Sequence, residues 1–334
     1  MTAPAPGMKA VVRDRYGPPD VLRLSDVPRP VAADDGVLVR IRAASVNAYD
    51  WHLLRGEPSL VRMMTGLGKP KRGGTGADLA GIVEAVGSGV ARLRPGDEVY
   101  GHGEGSFAEY VAAKEAHLAL KPSSLSFEEA AAVPMAGTSA LQALRDKGRV
   151  QPGQRVLING ASGGVGTFAV QIARALGAEV TGVCSARNAE LVRSLGASHV
   201  VDYAREDFTR SGVRYDVILD IADTHAISDY RRALTPNGTL VSLGAAGGPG
   251  EQDGTAAIMF GTLKATVVSA FVRQHLRLFI AKSSYADLDV LRELIDAGKV
   301  RPVIDRRYTL AEVPDAIRYV ETGHARGKVV VAIG

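Results

Sequence analysis

The rhythm of hydrophobic and polar positions changes near Lys121-Pro122. Before that point the apolar residues come in short runs broken by tight turns. Met8 to Arg13, Val37 to Ile41, Leu79 to Val86, Glu98 to Tyr100, Phe107 to Val111 and His117 to Leu120 read as strands. Gly17-Pro18-Pro19-Asp20, Gly87-Ser88-Gly89 and Pro95-Gly96-Asp97 read as turns between them. Asp50 to Leu54 reads as a short helix ended by Gly56 and Pro58, and 57–75 as a loop. The pattern predicts a compact β domain. Beyond Lys121, Ser126 and Glu129 stand at capping-box spacing, and helical spacing runs through Ala130 to Leu144, interrupted by Pro134 and Gly137.

From Arg155 onward strand and helix alternate. Val156 to Ile158, Val180 to Cys184, His199 to Val201, Val217 to Leu219, Thr239 to Leu243 and Ala265 to Val268 are the expected strands, with helices between the first five. That alternation predicts an α/β doubly wound parallel sheet. The glycine-rich stretch 244–254 would leave the carboxyl end of a strand, the side on which such sheets bind ligands. Leu288 to Ala297 and Pro314 to Tyr319 read as helices and Lys328 to Ile333 as a last strand. The expected division is a β domain over 1–124, a doubly wound α/β domain over 125–272 and a C-terminal segment over 273–334.

The stretch 155–167 carries the clearest chemistry. An apolar strand runs into Gly160-Ala161-Ser162-Gly163-Gly164-Val165-Gly166, and Thr167 to Leu176 then continues at helical spacing up to Gly177. This is the strand–loop–helix context in which G-x-G-x-x-G binds a dinucleotide, with Ala161 in the first glycine place and Gly163 and Gly166 in the second and third. The helix start aims unpaired N–H groups and a positive dipole end at a diphosphate. Ser162, Gly163, Gly164 and Val165 are therefore expected cofactor contacts. At the end of the second strand, where an acidic residue would take a ribose 2′-hydroxyl, stand Ser185, Arg187 and Asn188. A guanidinium grips a 2′-phosphate, so the expected cofactor is NADPH rather than NADH.

Composition narrows the class further. The 334 residues carry 40 Lys and Arg against 36 Asp and Glu, a formal net charge of +4. The basic residues are scattered apart from Lys69, Lys71 and Arg72, which argues against a nucleic-acid face. The one cysteine, Cys184, excludes an internal disulfide and a cysteine-rich zinc site. No apolar run is long enough to span a bilayer, and the start reads as no signal peptide, so a cytoplasmic protein without membrane partners is expected.

Several further motifs extend the picture. These are Ala44-Ser45-Val46-Asn47-Ala48-Tyr49-Asp50, Gly76-Ala77-Asp78-Leu79-Ala80-Gly81 and Arg94-Pro95-Gly96-Asp97-Glu98-Val99, with Ala136-Gly137-Thr138-Ser139-Ala140. Later come Gly196-Ala197-Ser198-His199-Val200-Val201-Asp202-Tyr203 and Gly327-Lys328-Val329-Val330. In this order, and with the glycine loop, they cover nearly the whole chain. The sequence resembles the zinc-independent medium-chain dehydrogenase/reductases, in the quinone oxidoreductase (zeta-crystallin-like) group.

The resemblance implies a GroES-like β domain and a Rossmann domain with the cleft between them, the C-terminal tail returning to the β domain. In the family's zinc alcohol dehydrogenases the first two ligand positions fall near Val46-Asn47 and at Gly76-Ala77-Asp78. Neither makes a competent site here, and the structural four-cysteine lobe is missing. Hydride transfer to a conjugated C=C is the easier task without a metal, because the carbonyl spreads the developing charge.

By the same resemblance Asn47 reaches the nicotinamide ribose or the substrate, and Tyr49 and His52 neighbour a substrate-contact position. Asp50 is expected to hold that segment together. Thr138 lies beneath the carboxamide, Tyr203 by the 2′-phosphate, and Lys328 near the phosphates or nicotinamide. Gly244, Ala245, Phe271 and Val272 line the nicotinamide end. For His52 a structural role stands open beside hydrogen-bond donation to an enolate. The implied activity is NADPH-dependent reduction of a small-molecule quinone or enone. The alternatives are an enoyl reductase acting on a biosynthetic intermediate and a non-catalytic NADPH binder. The edge strand 265–268 offers a pairing surface for a homodimer.

Overall fold

The computed structural model describes residues 7–71, 73–243 and 273–334, without the side chains of Leu60 and Met64. The sixth expected strand and the dimer edge at 265–268, the loop at 244–254, and Gly244, Ala245, Phe271, Val272 and Arg72 lie outside the described residues.

In chain order the first elements are β1 (Gly7–Val12), β2 (Arg23–Pro28), β3 (Gly36–Val46), α1 (Ala48–Arg55) and α2 (Ser59–Thr65). There follow β4 (Asp78–Val86), β5 (Glu98–His102), β6 (Tyr110–Lys114), β7 (Leu118–Leu120), α3 (Phe127–Ala131) and α4 (Pro134–Leu141), which runs on as a π-helical stretch, Gln142–Gly148. The second set is β8 (Arg155–Asn159), α5 (Gly164–Ala175), β9 (Glu179–Cys184), α6 (Ala189–Ser194), β10 (His199–Asp202), β11 (Tyr215–Asp220), α7 (Ile227–Ala233), β12 (Leu234–Ser242) and β13 (His275–Leu278). The chain closes with α8 (Tyr285–Asp296), β14 (Ile304–Thr309), α9 (Val313–Glu321) and β15 (Lys328–Ala332).

Two compact units result. One comprises 1–135, 283–296 and 302–334, and the other 136–282 and 297–301. The first is built on β3, eleven residues buried along nearly their whole length. A strand covered on both faces needs no hydrophobic alternation, which is why only its first half looked like a strand. It pairs antiparallel with β4, β6 and β15, in a sheet ordered β14-β15-β3-β4-β5-β7. The tail thus adds β14 and β15 to this sheet rather than to the parallel one. Ile41, Leu79, Phe107, Leu118 and Val331 form its core.

The second unit is a parallel sheet in the order β10-β9-β8-β11-β12-β13. Relative to its first strand, β8, the order is that of a doubly wound nucleotide-binding sheet, with the reversal between β8 and β11. Leu157, Ile158, Ile218 and Leu219 are wholly buried, as central parallel strands require.

Four expectations need correction. The stretch 57–75 is not all loop, because α2 starts after Pro58 and stops at Gly66. No α-helix joins β10 to β11, only the 3-10 turn Phe208–Arg210. Pro134 opens a helix rather than interrupting one, since a first-turn proline lacks only an N–H that had no partner there. The strand expected from Phe107 begins at Tyr110. Phe107 instead takes Val11 N–H on its carbonyl and gives its own N–H to Thr75. Among the described residues no helix is long and apolar enough to cross a membrane.

Candidate active site

In the first unit, the ends of β3, β4, β5 and β15 gather a buried polar cluster around Asp78. This carboxylate is fully buried on β4. Its Oδ2 accepts from Ser45 Oγ at 3.0 Å and Asn47 Nδ2 at 2.9 Å. Its Oδ1 lies 3.1 Å from His102 Nδ1 and 3.2 Å from the Met135 N–H. The register explains the histidine contact, because Asp78 and His102 are direct cross-strand partners. The Lys328 ammonium, 3.9 Å from Asp78 Oδ2, donates to Val46 O at 3.1 Å and to Asn47 Oδ1.

Asn47, the residue before α1, is thus held at both ends of its amide. Its backbone N–H donates to Asp50 Oδ2 at 2.7 Å, so Asp50 braces the start of the helix. The electrostatics follow from burial and neighbours. Burial works against the Asp78 anion, but His102, the Lys328 charge and the Asn47 amide outweigh it and hold Asp78 below the usual carboxylate range. Asp50 goes the other way. Burial, with the Asp78 charge adding to it, pushes it up to about 7 despite the Asn47 N–H. Burial lowers Lys328 against the pull of both carboxylates.

Two polar atoms of this cluster, Asp50 Oδ1 and His102 Nε2, are buried without a protein partner, as is Ser106 Oγ. Such atoms are costly unless something fills the gap. Of the residues expected after Asn47, Tyr49 is 43% exposed, and the partial desolvation of its hydroxyl, with the Asp50 and Glu104 charges, raises its pKa. His52 has Nδ1 3.0 Å from Glu57 O and its ring 3.5 Å from that of Trp51. A zinc ion does not suit the cluster. An ammonium sits among its oxygens, and among the described residues no three His, Cys, Asp or Glu side chains converge on one point.

In the second unit, α5 begins at the reversal point of the sheet. Its N-cap is Gly163, which supplies no side-chain cap, so the first-turn N–H groups face outward. Gly160 sits at φ +88°, a backbone conformation that favours glycine. A Cβ at Gly166 would lie 2.1 Å from Gly160 O, so this glycine serves close helix–loop packing. Ser162 Oγ accepts from Asn188 Nδ2 at 2.9 Å, while the buried Asn188 Oδ1 has no partner. Ser185 precedes the 3-10 turn Ala186–Asn188. Arg187 is exposed, and so is Tyr203, whose backbone N–H reaches Cys184 O at 3.3 Å. These residues share the carboxyl ends of the neighbouring strands β9 and β10. Thr138, on α4, is buried with Oγ1 unpartnered.

Sequence reading singled out Asn47, Thr138, Arg187 and Lys328, but missed the hub itself and gave His102 no part. The signal was the pairing of β4 with β5, which periodicity does not reveal.

Residues 33–123 match the alcohol dehydrogenase GroES-like domain, and 195–331 match the family described as zinc-binding dehydrogenase. The chain is 35% identical to the mouse (Mus musculus) mitochondrial NAD(P)H oxidoreductase RTN4IP1, over 98% of this chain and 89% of that one. It is 34% identical to the 2-methylene-furan-3-one reductase of Solanum lycopersicum, over 97% and 79%. The solved quinone oxidoreductase of Coxiella burnetii superposes with a TM-score of 0.86 at 30% identity, covering 98% of this chain and all of that one. Taken with the parallel sheet and its glycine loop, these likenesses establish that the chain belongs to the medium-chain dehydrogenase/reductases, in their quinone oxidoreductase group.

Proposed function

We propose that the chain is an NADPH-dependent oxidoreductase that reduces a small conjugated carbonyl compound, an enone or a quinone. The observation that carries the cofactor half is the open start of α5. Its outward N–H groups and the unpartnered Asn188 Oδ1 beside Ser162 leave polar capacity for a diphosphate and ribose. Ser162, Gly163, Gly164 and Val165 would hold the diphosphate. Arg187, exposed with Tyr203 beside Ser185, would pair with a 2′-phosphate. Thr138 Oγ1 would meet the nicotinamide end. The likeness to the mouse NAD(P)H oxidoreductase supports the cofactor half, and the likeness to the 2-methylene-furan-3-one reductase and the Coxiella quinone oxidoreductase supports the substrate half.

When bound, a reduced nicotinamide supplies a hydride. The chain's residues have the remaining tasks. Lys328, fixed by its bonds to Val46 O and Asn47 Oδ1, keeps the third N–H of its ammonium as a donor that needs little reorganisation. The oxygen of the substrate carbonyl, which gathers charge as the double bond is reduced, is stabilised by donors of this kind.

The test is steady-state oxidation of NADPH and NADH with a panel of quinones, enones and an enoyl thioester. Turnover with NADPH on quinones or enones is expected. Tight NADPH binding without turnover on any of them would overturn the catalytic reading in favour of a binding protein. Turnover confined to the thioester would move the substrate class to enoyl reduction.

A further inference from the structure

We propose that His102, held by Asp78, is the catalytic residue that protonates the reduced substrate. This rests on the reductase reading above and adds the proton source that hydride transfer leaves open. Asp78 accepts from Ser45, Asn47 and the Met135 N–H, so it is ionised and its Oδ1 is an acceptor for the His102 ring 3.1 Å away. Nδ1 therefore carries a hydrogen, which leaves Nε2 as the ring nitrogen that can meet a substrate. Nε2 is buried and has no partner in the protein.

Among the cluster's other donors, the Asn47 amide gives both its hydrogens to Asp78 and Ser45 O, and Lys328 gives two of its three to Val46 O and Asn47 Oδ1, where its charge serves the carbonyl oxygen. The His52 ring is turned by its Nδ1 to Glu57 O. A carboxylate behind an imidazole fixes its tautomer and the direction of its ring, as in dyads that move protons. The charged or titratable groups that face His102 are Asp78 on β4, with Lys328 behind it, and His117 in the 3-10 turn Glu115–His117, which Lys114 and Glu104 also act on.

The step balances. Hydride addition at the β-carbon turns the C=C electron pair into an enolate. The Nε2–H bond of protonated His102 breaks and its hydrogen forms the new bond at the α-carbon. The electron pair stays on Nε2, and the neutral ring recovers a proton from solvent.

The experiment uses the full chain with NADPH and an α-methyl enone in D₂O, comparing wild type with His102→Asn. The asparagine amide can still donate to Asp78 but has nothing in place of Nε2. Wild type should deliver deuterium to one face of the α-carbon. The variant should retain its melting temperature and its NADPH affinity, lose about a hundredfold in kcat, and give both α-epimers at early times. A folded variant with unchanged kcat, or with reduced kcat and intact selectivity at the α-carbon, would overturn the proposal. Should His102→Asn not fold, His102→Gln is the second variant, read by the same selectivity. If the wild type turns over no enone, it is the reductase reading that fails.

Discussion

Lys328 Nζ lies 3.9 Å from Asp78 Oδ2, both side chains almost wholly buried. One comes from the last strand and the other from β4, so the pair ties the tail of the chain to the centre of the first sheet. Removing one charge of such a pair leaves the other buried and uncompensated, at a cost of about 3–5 kcal/mol. Asp78→Asn keeps the shape and removes the charge. Chemical denaturation should show a loss toward the lower end of that range, because Asp50 remains near Lys328. Asp78 has a lowered value in the folded state, so its contribution is present above the ordinary carboxylate range. It is lost as pH falls through the lower folded value. A loss below 1 kcal/mol would show that Lys328 does not depend on it.

Asp50 should behave in the opposite sense. Its folded value is raised from 3.8 to about 7, so the folded chain holds this proton more tightly than the unfolded one. Stability therefore falls as pH rises from about 4 to about 7 and levels off above. Asp50→Asn removes the titration and still offers an oxygen to the Asn47 N–H. Relative to wild type the variant should gain more than about 1 kcal/mol between pH 4.5 and pH 8. Urea melts at both pH values measure this, and parallel wild-type and variant slopes would contradict it.

The contrast between these two carboxylates shows where sequence reading stops. Val156 to Ile158 and the glycines after it announce a parallel strand and its loop, because local composition and period carry that information. The order of the parallel sheet was not legible, because strand–helix alternation is common to more than one doubly wound order. Nor was the Asp78 hub, because it depends on which residue of β5 faces which residue of β4. α2 was hidden because a stretch rich in Gly, Pro and Lys also contains seven helical residues after Pro58. β14 was hidden because the adjacent, exposed Arg306 and Arg307 break any alternation of apolar positions, and its strand character comes from pairing with β15.

Arg187→Glu tests cofactor choice. Arg187 is exposed in the 3-10 turn that follows β9, two residues after Ser185, and Tyr203 follows the carboxyl end of the neighbouring β10. A charge-assisted contact with a 2′-phosphate is worth about 1.5–3 kcal/mol, so the KM for NADPH should rise about tenfold to a hundredfold. The KM for NADH should change little. Equal changes for the two cofactors would remove Arg187 from the phosphate site.

Two glycines of one loop should respond differently to a single methyl group. At Gly166 a Cβ would stand 2.1 Å from Gly160 O and 2.7 Å from Ala161 C, both backbone atoms that cannot turn aside. Gly166→Ala must push the start of α5 off the loop, costing about 1–3 kcal/mol as overpacking does, and it should weaken NADPH binding through that displacement. At Gly163 the nearest atom to a Cβ is Gly160 O at 3.5 Å, an ordinary contact. Gly163→Ala should therefore change stability by less than about 0.5 kcal/mol. If the space above the loop is the diphosphate's, the same variant should still lower NADPH affinity about tenfold or more, because the methyl group stands where the ligand approaches the helix start. Thermal melts and fluorescence titration separate the two effects. Unchanged NADPH affinity in a folded Gly163→Ala protein would place the diphosphate elsewhere.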